Sequence, residues 1–85
     1  MDRKLLLENL HEAKERVELG LEHLARQRRI VEQLRRGGHD TQRALEVLAA
    51  FELCQQNHEA DELRIQEELE RVRRLKGLQK MGWDG

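Results

Sequence analysis

Four histidines, a single cysteine and many glutamates are the side chains of this sequence that could do chemistry. Carboxylate-bridged two-metal bundles need Glu-x-x-His on two helices together with further inward glutamates. The chain offers one such spacing, Glu8-x-x-His11, and it falls off the apolar positions of its segment. His58 and Glu62 stand one helical turn apart, but a mononuclear site needs at least a third protein ligand, and no obvious donor faces them. Serine is absent, so Ser-His-Asp chemistry is excluded. Cys54 and His58 would be a nucleophile and a base without an oxyanion site. The residues therefore read as non-enzymatic, with no catalytic, cofactor-binding or metal-ligating side chain assigned.

Two further chemistries fail on context. His58-Glu59 has the form of the phosphoacceptor dipeptide of histidine-kinase dimerisation domains, yet it lies in the second half of the chain without a downstream Thr-Pro, at a position reserved for packing. Gly37-Gly38 lacks the preceding strand and following Lys-Ser/Thr of a phosphate cradle. Basic charge is the stronger signal. Arg26, Arg28, Arg29, Arg35, Arg36 and Arg43 crowd one stretch, and Arg71, Arg73, Arg74, Lys76 and Lys80 another. Phosphate contact needs such charge, but base readout or strand stacking normally adds polar or aromatic groups. The aromatic residues are Phe51 and Trp83 alone.

The elements that hold these residues are set by Arg35-Arg36-Gly37-Gly38-His39-Asp40-Thr41, a helix stop followed at once by a helix start. Gly37 suits the left-handed conformation that closes a helix, and Arg35 and Arg36 set positive charge beside its last carbonyls. Asp40 or Thr41 supplies the short oxygen side chain that caps a new helix. So short a connection makes the two helices antiparallel neighbours.

The expected helices are 2–36, capped by Asp2, and 41–76, stopped by Gly77, with the turn at 37–40. At 1.5 Å per residue the first is about 52 Å long. Its apolar residues keep a heptad, Leu10, Val17, Leu24 and Val31 at one seam position and Leu6, Ala13, Gly20, Gln27 and Leu34 at the other. The second helix repeats it with Ala44, Phe51, His58, Ile65 and Val72, and with Leu48, Gln55, Glu62 and Leu69. Gly20 in mid-helix costs about 1 kcal/mol relative to Ala, which points to a close approach or a tolerated weak point. Residues 78–85 form a short tail in which Trp83 is free to fold back or to anchor a protein partner.

Composition agrees with an all-α hairpin. Charged residues make up 39%, hydrophobic residues 38%, and proline is absent, a balance that favours long helices or a coiled coil. A chain of 85 residues is one domain that buries its core only partially by itself. The apolar runs are too short to span a bilayer and the start lacks a signal peptide's apolar region. One cysteine provides no disulfide framework. A soluble, cytoplasmic protein is the expectation. The net charge is -1, but the charges are segregated. Acids dominate residues 8–22 and 52–70 and antiparallel folding lays these side by side, giving an acidic waist between two basic ends.

The segments His23-x-x-Arg26-Gln27-Arg28, Gly38-His39-Asp40-Thr41 and Ala44-x-x-x-Leu48-x-x-Phe51 with a later His58 carry a resemblance to a group of short bacterial helical-hairpin proteins of unknown function. The resemblance covers a little over half of the chain. It implies the hairpin and brings no activity, substrate or catalytic residue with it.

The sequence makes three structural expectations. A turn centred on Gly38 and His39 pairs Val31 with Leu48, Leu24 with Gln55, Ala13 with Ile65 or Gln66, Leu10 with Leu69 and Leu6 with Val72. A polar layer of Gly20, Gln55, His58 and Glu62 interrupts the seam, with Gly20 opposite His58. Leu7, Leu21, Ile30, Val47, Leu63 and Leu75 lie partly outside the seam, and their burial calls for a homodimer in a four-helix bundle. The function expected is a protein-protein interaction or oligomerisation module. The alternative is a nucleic-acid-associated accessory protein that uses the basic ends.

Overall fold

The structure, a computed structural model, describes residues 2–80. Two helices, α1 (Arg3–Arg36) and α2 (Gln42–Lys80), pack against each other as an antiparallel hairpin. The rod measures 73 × 16 × 15 Å. No helix among the described residues is long and apolar enough to cross a membrane.

Both ends of α1 and the start of α2 satisfy bare backbone groups locally. Asp2 caps α1, its carboxylate accepting from the Lys4 amide at 3.3 Å and its carbonyl from Leu6 N–H at 3.0 Å. At the other end His39 N–H donates to the Leu34 carbonyl at 2.9 Å and Gly38 N–H to the Arg35 carbonyl at 3.1 Å, the paired bonds of a Schellman closure. Gly38, not Gly37, is the residue in the left-handed region, with φ 72°, while Gly37 keeps φ -80°. Asp40 accepts from the Gln42 amide at 3.0 Å and the Thr41 carbonyl from Leu45 at 2.9 Å, so the two residues share the start of α2.

The 3-4 spacing of apolar residues sets which faces meet. Every seam position named from the heptads is buried or half-buried, on both helices. Among the described residues Leu6, Ala13 and Leu24 are the buried apolar side chains, and Gln27 and Gln55 the buried polar ones. Two helices alone therefore close the seam only in places.

The axial pairing sits about one turn away from the expected one. Gln55 lies against Gly20 and Val17 instead of Leu24, and Leu6 shares a surface hollow with Ile65 and Glu68 instead of Val72. The Schellman bonds explain the shift. They bring His39 back alongside Leu34 before α2 begins, whereas a symmetric turn would have left it beyond the end of α1. The second helix also passes through Gly77 and is described as far as Lys80. A glycine stops a helix where the chain must reverse, and α2 continues beyond this one.

Candidate functional site

The polar layer is built around Gly20 and Gln55. Gln55 is 4% exposed, and its Nε2 donates to the Val17 carbonyl across the seam at 3.0 Å. Its Oε1 has no hydrogen-bond partner among the described residues and lies 1.7 Å from where a Cβ at Gly20 would stand. The amide oxygen is thus seated over the bare Cα of Gly20, in the space that a side chain there would fill. A close approach to the backbone is the reason for the mid-helix glycine, and the group that approaches is Gln55, not the expected His58. His58 and Glu62 are half-buried in the same seam. No hydrogen bond joins them among the described residues.

A second amide clamp lies nearer the turn. Gln27 is 8% exposed and donates from Nε2 to the Ala44 carbonyl at 2.9 Å. Its place on the seam was legible, but its role was not, because a polar residue there reads as a defect until a backbone carbonyl is found within its reach. Both glutamines use the spare lone pair of a helical carbonyl, and each bond fits one axial register only.

Along the two sides of this seam the hairpin is apolar and open. Leu7 is 47% exposed, Leu21 52%, Ile30 38%, Val47 37%, Leu63 56% and Leu75 61%. At about 100° per residue Leu7, Leu21 and Leu63 fall on one flank, and Ile30, Val47 and Leu75 on the other. Leu5, Leu19, Leu45 and Leu53 are exposed as well. His23 and Phe51 lie with ring centroids 5.9 Å apart, in a tilted contact across the seam.

The charged residues make surface pairs. Glu32 binds both Arg35 and Arg36, the latter at 3.1 Å. The hydrogen bond from Arg35 holds the Glu32 carboxyl below its ordinary range, with further help from its charge and from Arg36. Asp61 pairs with Arg64, and Arg71 with Glu68, whose hydrogen bond keeps the guanidinium charged still more firmly. Arg28 reaches Glu52 across the helices at 3.9 Å. Arg26, Arg29 and Arg43 have no carboxylate in ion-pairing range among the described residues. His11 sits 2.7 Å from Glu15 rather than against Glu8. No group of three His, Cys, Asp or Glu among the described residues is placed to hold a metal ion. Cys54 is free and exposed. Trp83 lies outside the described residues.

No family model, no curated protein and no solved structure matches this chain.

Proposed function

We propose that this chain is a non-enzymatic association module, a hairpin that completes its core by pairing with a second copy into a four-helix bundle and serves as a docking element for protein partners. The observation that carries this reading is surface. The hairpin exposes 7002 Å², whereas a compact monomer of 10.1 kDa exposes about 5,300 Å². The excess is about twice the 800 Å² that each partner buries in a standard protein interface. It includes the leucines of both flanks, which a small monomer does not ordinarily leave in water. The two glutamine clamps support the reading, since buried polar layers are best attested as devices that fix register and oligomeric state.

Association that stabilises the fold makes unfolding concentration-dependent. The thermal midpoint should rise steadily as the protein is diluted less, and a midpoint independent of concentration over two decades removes the reading.

A second reading draws on Arg26, Arg29 and Arg43, whose charges are not neutralised within the hairpin. Nucleic-acid retention at low salt that disappears steeply as salt rises would favour it.

A further inference from the structure

The backs of the two helices differ. On α1 the residues farthest from the seam are Glu8, Glu15, Glu22, Arg29 and Arg36, all charged. On α2 the outer positions between Glu46 and Arg64 carry no charge at all, in a chain that is 39% charged. Ala49, Leu53, Gln56, Ala60 and Leu63 run along this back at alternating spacings of four and three, a second heptad pattern beside the one used by the seam. Leu53 is 61% and Leu63 56% exposed. Beside Ala60 the surface dips into a shallow hollow lined also by Asn57 and Leu63 and bounded by the charged Asp61, Arg64 and Glu67.

We propose that this back of α2 is a second seam, on which the α2 of a second copy packs antiparallel about a twofold axis at Gln56 and Asn57. The inference rests on the reading of the chain as a self-associating hairpin and assigns the twofold contact to the back of α2 in place of the open flanks of the seam. Read in reverse, the stripe complements itself, as an isologous contact requires. Leu53 of each copy meets Ala60 of the other at the edge of that hollow. Leu63 meets Ala49 and Ala50, so large faces small at each layer, as close packing demands. Gln56 and Asn57 meet their counterparts at the axis, where amides satisfy one another's donors and acceptors. Charges bound the apolar layers, where Arg43 of one copy falls opposite Glu70 of the other, and Glu46 falls opposite Glu67 with Arg64 one turn away. The self-complementary order of large and small residues selects a second copy over an unrelated helix.

Size exclusion with light scattering on the full chain, combined with swaps and thiol crosslinking, tests the proposal. Leu53→Ala and Ala60→Leu alone should each weaken dimerisation at least tenfold, while the double variant restores it, because the exchange keeps one large and one small residue in each layer. In a Cys54→Ser background, Asn57→Cys should crosslink to its own counterpart, and neither Glu46→Cys nor Glu15→Cys should. Capture at Glu46→Cys means a parallel pair, and capture at Glu15→Cys means the back of α1; each overturns the proposal and leaves self-association standing. So does a dimer that is indifferent to the swaps. A strict monomer overturns both the proposal and the reading beneath it, as does a monomer recovered with nucleic acid or another protein on this face.

Discussion

Gly20 and Gln55 show how one missing side chain fixes another. A methyl group at Gly20 would occupy the place of the Gln55 amide oxygen. Alanine gains about 1 kcal/mol of helix propensity over glycine, but displacing Gln55 loses a hydrogen bond of about 1 kcal/mol and adds overpacking of about 1–3 kcal/mol. Gly20→Ala should therefore destabilise the hairpin by about 1–3 kcal/mol in chemical denaturation. In a Gln55→Ala background the same change should stabilise by about 1 kcal/mol, as propensity alone dictates. Equal effects in both backgrounds would mean that the two residues do not touch.

Glu32 makes a pH-dependent clamp at the end of α1. Its folded pKa is lowered, chiefly by the hydrogen bond from Arg35, so its contribution is fully present above the pKa of an unfolded glutamate. The contribution fades as pH falls through the lowered folded value. Glu32→Gln should fray the last turn of α1 at neutral pH, seen as faster amide exchange at Arg35 and Arg36. The difference from the parent protein should vanish in acid. The pair is exposed, and the effect on global stability is correspondingly small.

The two helices were legible because their signals are local and periodic. Asp2, Gly38 with its neighbours, and the 3-4 spacing of Leu6, Leu10, Ala13 and Val17 each state a fact about the nearest turn of chain, and every seam residue stands where its spacing put it. The register was less legible, because it depends on how far the Schellman closure folds His39 back beside Leu34, a property of backbone geometry in a few residues. Gln27 and Gln55 were legible as seam positions and not as clamps, since their partners are carbonyls that sequence does not distinguish. Gly38 and Gly77 separate the two uses of glycine. Gly38→Ala places a side chain at φ 72° and should cost about 1–2 kcal/mol, although nothing crowds the site. Gly77→Ala lies inside α2 in open space and should instead stabilise by up to about 1 kcal/mol. Denaturation of the two variants side by side checks the contrast, and loss of stability at both positions would mean that α2 ends near Gly77.

The rod as a whole is defined by an incomplete core. Its seam buries three apolar residues among those described, too few for a stable isolated domain by the usual area reckoning, and large side chains stay uncovered on both flanks and on the back of α2. Charge is arranged in blocks, acidic at mid-rod and basic towards the turn and the open end, so salt should alter any assembly that overlaps these blocks. The charge blocks and the six flank residues were legible from spacing alone, whereas the exposure of Leu53 on the back of α2 became visible only once the partner helix was placed. Sedimentation equilibrium of the intact chain tests the central claim most directly. The account predicts a weight-average mass that climbs from near 10.1 kDa to twice that value within the micromolar range and fits a monomer-dimer equilibrium. A mass that stays at that of a single chain throughout would contradict it.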